Sequence, residues 1–339
     1  MLHHTVAIII VHFNTEKQLA RCLEAIAGQT IPAQEVLVVD NASRGFNAAA
    51  WRRRFPWCRF AALETNLGFA AANNLGVEMV GETEWICLLN PDAYPEPDWL
   101  AKMLEGARRL PDATHLASHL IQAADPSLLD GAGDVYHVSG AAWRRGWGRP
   151  DGYYLQCEEV FAASAAAAFY RRGAWLAAGG MDESFFCYYE DVDLCFRLAL
   201  TGGRGYYLPS AVVHHEGGAT VGGGNRISTY YGQRNMVLTF FKDMPWPLLV
   251  LYLPMHIMTN LAAVVWCTRR GHGGVAWQAK LDAIRLLPGT WSRRKQVQRG
   301  RRVPALKLWA GMTKGLWPLM AHWLGLSRRG TTSGSRQHA

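Results

Sequence analysis

The 339-residue sequence has no C-x-x-C pair, and its seven cysteines are odd in number. Cysteines 22, 58, 87, 157, 187, 195 and 267 are scattered, several inside apolar runs. That pattern excludes a disulfide frame or a zinc knuckle and fits buried thiols in a reducing compartment. No glycine lies in His12-Phe13-Asn14-Thr15, the turn after the opening strand-like run, which argues against a dinucleotide fingerprint and hence a nicotinamide enzyme. Internal repeats are missing, and so is a leader with a cleavage site, so the expected location is the cytoplasm. Acid is scarce at one end: residues 269–339 hold 15 Lys+Arg and a single acid, Asp282, while residues 1–268 hold 20 basic and 26 acidic residues. The net charge of +8 is therefore a mildly acidic body with a strongly basic tail, which points to an anionic partner surface. With no recognised nucleic-acid module beside that charge, lipid headgroups are the expected partner and nucleic acid is not.

What is present is an alternation of strands and helices. Residues 6–13 (VAIIIVHF) form a continuous β-branched run, as in a strand buried on both faces. Thr15-Glu16-Lys17-Gln18 has capping-box form, and Leu19, Cys22, Leu23 and Ile26 mark one helical face ending at Gly28. Further strands are expected at 35–39, 59–63 and 85–89, with helices at 69–80 and 97–109. This spacing implies βαβ crossovers and a nucleotide-binding type of sheet, whose ligands sit beyond the carboxyl ends of strands. Asp40 follows the second strand and suits a ribose or base edge. Asp92, in the Asn90-Pro91-Asp92 turn after the fourth, suits a divalent cation, because hard cations take carboxylate oxygens. Each is also a plausible plain turn acid. Residues 110–160 lack regularity, although Trp143-Arg144-Arg145-Gly146-Trp147 has the composition of a sugar platform or of loop packing. Residues 162–168 are small and apolar and are expected to form a strand under the site.

The stretch 185–215 draws these parts together. Aromatic pairs lead into Glu190-Asp191-Val192-Asp193, a helical run ends at Gly202-Gly203, and Val212-Val213 delivers His214 and His215. Carboxylates at a helix start and a later imidazole, facing one cleft, suit metal-assisted group transfer with a carboxylate base. Acids opening a helix also serve as caps or dipole partners. Glycines at 217–218 and 222–224 are a candidate lid over a donor. Arg234, in Tyr230-Tyr231-Gly232-Gln233-Arg234-Asn235, is a candidate phosphate contact or a helix-surface arginine.

Residues 246–266 (WPLLVLYLPMHIMTNLAAVVW) carry no Asp, Glu, Lys or Arg, and half of the chain's 14 tryptophans lie at or beyond 246. Length and flanking aromatics allow a membrane span, which Pro247, Pro254, His256 and Asn260 disfavour. Amphipathic segments with tryptophan and nearby cations fit in-plane binding to anionic lipid, and a packed helical subdomain is the third reading.

The segments VAIIIVHFN, EVLVVDNAS, NLGFAAANN, LLNPDAYP, GGMDESFF, FCYYEDVDLCFRL, AVVHHEGGAT and YYGQRN, in this order, resemble the inverting family 2 glycosyltransferases of the GT-A fold, in particular their rhamnosyltransferase-like branch. The resemblance covers roughly residues 5–245. It implies an α/β fold, a Rossmann-like mixed sheet flanked by helices, as a GT-A domain at 1–245. A basic, membrane-associating helical extension at 246–330 and a disordered tail at 331–339 follow. It implies Asp191 as the catalytic base, with Glu190 and Arg234 in support. Phe13, Asn14, Asp40, Asn66, Gly68, Asn73 and Asn90 would lie at the donor nucleotide, and Asp92 and His215 would hold Mg²⁺ or Mn²⁺. The first acid of the family's metal motif is Asn90 here. The implied partners are a dTDP- or UDP-sugar donor, a glycan or lipid-linked acceptor, and the cytoplasmic face of the inner membrane. L-rhamnose is the leading donor sugar, with galactofuranose or another UDP-hexose next. A nucleotidyltransferase, a retaining transferase and a non-catalytic sugar-nucleotide-binding protein are the rival readings.

Overall fold

The computed structural model describes residues 5–217 and 226–323. The lid expected at 217–224, apart from Gly217, and the tail at 331–339 lie outside the described residues. The chain opens with β1 (Val6–His12), α1 (Glu16–Ala27), β2 (Glu35–Asp40), α2 (Ala48–Arg54), β3 (Arg59–Ala62) and α3 (Phe69–Met79). Next come β4 (Trp85–Leu89), β5 (Ala93–Pro95), α4 (Trp99–Arg109) and the long β6 (Ala113–Gln122). Four short strands follow: β7 (Leu129–Gly131), β8 (Asp134–Tyr136), β9 (Ala142–Arg144) and β10 (Glu158–Val160). Then come β11 (Ala167–Arg171), α5 (Arg172–Ala178), α6 (Glu190–Leu200) and β12 (Arg204–His215). Five helices close the described chain: α7 (Arg226–Asp243), α8 (Trp246–Arg269), α9 (Gly273–Arg299), α10 (Ala305–Gly311) and α11 (Leu316–Trp323).

The main sheet runs β10-β12-β6-β11-β4-β1-β2-β3, with β5 added to β12 and β7 to β6. Strands β3, β2, β1 and β4 are parallel, β11 is antiparallel to both its neighbours, and β12 runs parallel to β6. All seven residues of β1 are buried because both faces are covered. Ile8, Ile10, Val36 and Val38 point to one face, against Leu19, Leu23 and Trp99. Ala7, Ile9, Leu37 and Val39 point to the other, against Ala70, Val77 and Leu194. Strand alternation thus divides one apolar run between two cores. Helix α3 comes so close that a Cβ on Gly76 would lie 2.6 Å from Ile9 Cγ2.

Several local expectations are corrected. Thr15 does not close a capping box: its hydroxyl lies 2.9 Å from His12 Nδ1 and makes no bond to the helix amides. The fourth helix starts at Trp99, beyond the Pro97 start expected for it. The small apolar stretch forms a strand only from Ala167 onward, and residues before it loop beneath the site. Residues 110–160, which showed no periodicity, contain the ten-residue β6, and the Val212-Val213 run belongs to a twelve-residue strand. Both strands lie inside the sheet, where pairing overrides weak local preference.

The last helices pack on the body. Tyr136, Phe196, Phe240, Leu248 and Leu308 share one apolar cluster, with Phe196 edge-on to Tyr136 at 4.9 Å. Burying one such phenyl ring is worth about 1.5–3 kcal/mol. Lys242 of α7 joins this contact to α6, reaching Asp193 and Asp182 at 2.5 Å each.

Candidate functional site

Strand pairing builds one side of the site. β12 pairs with β5 so that His215 stands opposite Ala93 and His214 opposite Tyr94. Successive side chains leave a strand on opposite faces. His214 therefore turns outward, with Nε2 2.6 Å from Glu96 Oε1. His215 turns inward, with Nε2 3.4 Å from Asp92 Oδ1. Both Asp92 and His215 are buried. On the far side of the imidazole, Nδ1 lies 2.8 Å from Asp130 Oδ2. Asp130 only accepts, and at 2.8 Å it favours the hydrogen on Nδ1, which leaves Nε2 without a hydrogen-bond partner and its lone pair available to a cation shared with Asp92. Burial pulls the pKa of His215 down, although Asp92 opposes this, and so favours the neutral ring.

The opposite wall is the start of α6. The acids of Glu190-Asp191-Val192-Asp193 separate. Glu190 is buried, and burial followed by the Asp191 charge pushes its carboxyl well above the usual range. Asp193 enters an internal ion network with Arg197 and Lys242. Asp191 alone turns to the crevice, accepting from Ala165 N at 3.0 Å and Val192 N at 2.8 Å. Its pKa is raised by burial, while those amides and Arg144 hold it down.

The loop before β11 ties the two walls together. Asn90 N donates to Ala166 O at 2.9 Å, and the neighbouring Ala165 N donates to Asp191. The turn carrying Asp92 and the acid opening α6 are thus linked through adjacent residues, and the charge of Arg144 acts on both acids. Between them stands Arg144 at the end of β9, ion-paired with Asp130, 3.2 Å from His215 Nδ1 and 3.3 Å from Ser164 Oγ.

A second lobe lies beyond β1 and β2. Asp40 is buried, accepts from Ser43 N at 3.2 Å and lies 3.8 Å from His12 Nε2. Asn14 is exposed, with its amide on Ser43 Oγ and its side-chain oxygen on Arg44 N. Asn66 Oδ1 accepts from Asn41 Nδ2 and from Gly68 N. At Gly68 φ is +86°, and a Cβ there would lie 2.5 Å from Phe186, so only glycine fits. Among the described residues five non-glycines have positive φ: Asn14, Ala42, Phe186, Tyr188 and Tyr189. Asn14 and Ala42 follow β1 and β2 and the other three lie in the segment leading into α6; strained backbone of this kind gathers at ligand sites.

A divalent cation fits this donor set. Asp92 offers a carboxylate, His215 a neutral imidazole oriented by a carboxylate behind it, and the covered Asn90 Oδ1 on the same turn has no hydrogen-bond partner. Among the described residues no three His, Cys, Asp or Glu side chains converge as a closed metal cage. That suits Mg²⁺ or Mn²⁺, which keep positions for phosphate and water.

Residues 7–174 match the family model for glycosyl transferase family 2. The chain is also 30% identical, over 236 residues, to N-acetylglucosaminyl-diphospho-decaprenol L-rhamnosyltransferase of Mycobacterium tuberculosis, covering 63% of this chain and 76% of that one. The chain belongs to glycosyl transferase family 2. Pre-mycofactocin glycosyltransferase of the same organism is 26% identical, with 63% of this chain and 43% of that protein covered. Among solved structures, mannosyltransferase PcManGT from Pyrobaculum calidifontis, in complex with GDP-Man and Mn²⁺, superposes with a TM-score of 0.53 at 19% identity, over 90% of this chain and 88% of that one. GalNAc-T7 with UDP, GalNAc and Mn²⁺ gives 0.60 at 12% identity, over 77% of this chain and 51% of that one. The fold of this family 2 glycosyltransferase is GT-A, a mixed α/β sheet flanked by helices.

Not every residue singled out in the sequence reaches the crevice. Asn73 is buried with its amide on Phe69 O, and Phe13 is half-buried beside Asn14. Arg234 is no helix-surface arginine: it is buried, donates to Ser184 O and Phe185 O, and lies 4.7 Å from the Tyr231 ring. It thereby braces the segment leading into α6. Asn41, Asp130 and Arg144 were missed, as was Asp134, a buried acid whose carboxyl is pushed well above the usual range by burial and then by the Asp191 charge. The available signal for two of them was a pair of acids inside LLDGAGDV, a stretch otherwise without charge.

Proposed function

We propose that this glycosyltransferase moves a sugar, with inversion, from a nucleoside-diphosphate donor to a hydroxyl of a glycan or lipid-linked acceptor, with Asp191 as the base. The observation that carries the reading is a pair of hydrogen bonds, Asn90 N to Ala166 O and Ala165 N to the Asp191 carboxylate, joining the proposed cation-holding turn to the proposed base. Asp40, Asn14 and the Asn66–Gly68 turn, with Phe13 and Asn90 nearby, form the donor lobe, in which Asp40 accepts from a ribose or base edge. Asp92 and His215 would hold Mg²⁺ or Mn²⁺ against the diphosphate. Bound there, the ion supplies Lewis-acid neutralisation of the leaving group.

Asp191 takes the proton of the acceptor hydroxyl as that oxygen attacks the anomeric carbon. The new C–O bond forms opposite the C–O bond to the departing diphosphate, so the centre inverts. Burial makes Asp191 a stronger base than an exposed carboxylate. Arg144 and the Ala165 and Val192 amides favour its ionised form. Asp130 holds His215 in the tautomer that ligation needs.

The mycobacterial relative's name supports L-rhamnose as the sugar and a lipid-linked acceptor; to these we add dTDP-L-rhamnose as the donor and cell-surface polysaccharide synthesis as the setting. Such an acceptor supports a location at the cytoplasmic face of the inner membrane. A panel of dTDP-, UDP- and GDP-sugars with Mn²⁺, read by thermal shift, tests the donor, since a ligand of the folded state raises its stability with occupancy. dTDP-rhamnose is expected to give the largest rise. A larger rise with a UDP-hexose would reassign the donor. No rise with any donor, and no slow donor hydrolysis, would end the enzymatic proposal.

A further inference from the structure

The outer face of α8 is largely apolar. On α8, Trp246, Val250, Leu251, Ile257, Met258, Leu261 and Val265 are each half or more exposed. At about 100° per residue they fall within an arc of about 140°. Leu248, Leu249, His256, Ala263 and Cys267 fill the opposite side and are buried. His256 fastens that side, with Nδ1 2.7 Å from Ser139 O and its ring stacked on Phe240 at 3.9 Å. By length and composition α8 could cross a membrane. Its inner side, however, is held against the catalytic body, so only the outer arc is left to meet hydrocarbon. On α9, Trp277, Leu281, Ile284 and Trp291 form a matching exposed stripe. Lys295 and Arg299 continue that stripe toward the end of the helix.

The two stripes meet where Trp246 and Trp291 pack edge to face at 6.2 Å. There a cavity of about 280 Å³ is walled by both indoles with Arg294, Lys295, Gln298 and Arg301. Arg294 and Gln298 are engaged inward, on Met244 O and Asp243 O. Among the described residues neither Lys295 nor Arg301 pairs with a carboxylate. Basic residues closing a helix also complement its dipole, but two exposed tryptophans have no part in that role. Aromatic walls, two cations and an adjoining apolar plane match the boundary between headgroups and acyl chains.

We infer that the α8–α9 face lies flat on an anionic bilayer and that the groove between Trp246 and Trp291 takes the phosphate of a lipid headgroup. The inference stands apart from the sugar-transfer proposal, since it is read by binding alone. The test is co-sedimentation of the full chain with phosphatidylcholine vesicles, with and without phosphatidylglycerol. Wild type is expected on the anionic vesicles only. Lys295→Gln/Arg301→Gln is expected to weaken binding about 25-fold, at roughly fivefold per cation, and more than Arg269→Gln/Arg270→Gln, which removes the same charge at the far end of α8. Equal losses would overturn the groove, and wild type free of anionic vesicles would overturn the docking face. Met258→Glu, in the exposed arc, is expected to release the folded chain, and unchanged binding would overturn the flat orientation. Millimolar inorganic phosphate is expected to leave binding intact; displacement would mean that the groove takes free phosphate instead of lipid.

Discussion

Replacing Lys242 by Met removes the ammonium that α7 sends toward the start of α6. Lys242 is 2% exposed and lies 2.5 Å from both Asp182 and Asp193, with the Phe185 ring 4.7 Å away. The variant keeps the packing volume but leaves two carboxylates short of a partner, one of them, Asp193, fully buried. Arg197 still reaches Asp193, and Arg293 and Ser184 still reach Asp182. Removing one partner of a buried pair costs about 3–5 kcal/mol, and the remaining cations place the expectation at the lower end, about 3 kcal/mol. With a urea slope of about 3 kcal/mol/M for a chain of this size, the midpoint drops by about 1 M. The pH dependence gives a second check. Burial opposes it, but Lys242 leads the groups that hold Asp182 well below the usual carboxylate range. A carboxyl with a depressed folded pKa adds stability above its unfolded pKa, near 4, and that stability is lost as pH falls toward the folded value. Lys242→Met should therefore flatten the acid side of the stability curve as well as lower its plateau. Urea titrations at neutral pH and below pH 4 measure both. A loss under about 1 kcal/mol, or an unchanged acid slope, would refute the reasoning.

Asp191→Asn is expected to lower turnover by about 10²- to 10⁴-fold while donor affinity stays within a small factor; near-normal turnover would remove Asp191 as base. In the wild type, kcat/KM should rise with pH through a carboxyl pKa lying above the ordinary value, because burial raises it and the ionised form is active. His215→Ala should weaken Mn²⁺ binding, followed by electron paramagnetic resonance with nucleotide present, whereas His214→Ala, which removes only a pair with Glu96, should not; equal effects would contradict the strand register. Gly68→Ala should cost about 1–3 kcal/mol, since its Cβ would overlap Phe186 at positive φ, and should raise the donor Kd. A melting temperature and donor Kd like those of wild type would show that the turn tolerates a side chain.

The apolar strands and the first helices were legible because each is encoded locally. β1 is apolar on both faces, and α1 repeats at helical spacing. Thr15 shows the limit of such reading, since its hydroxyl answers to His12 on the preceding strand and not to the helix it opens. Asp92, Asp191 and His215 stood out because each closes or opens a strongly patterned segment. Whether His214 or His215 faces Asp92 depended on how β12 registers against β5, a long-range pairing.

Sequence alone determined the alternating architecture, three candidate site residues at the ends of patterned segments and the separation of an acidic body from a basic tail, because periodicity and charge are properties of neighbours along the chain. Tertiary structure alone decided that Asp130 and Arg144, on short strands without periodicity, stand behind His215. It also decided that Glu190 and Asp193 turn inward while Asp191 faces the crevice, and that α8 hides one side and exposes the other. Those outcomes depend on which distant surfaces a side chain meets, and no local pattern records that.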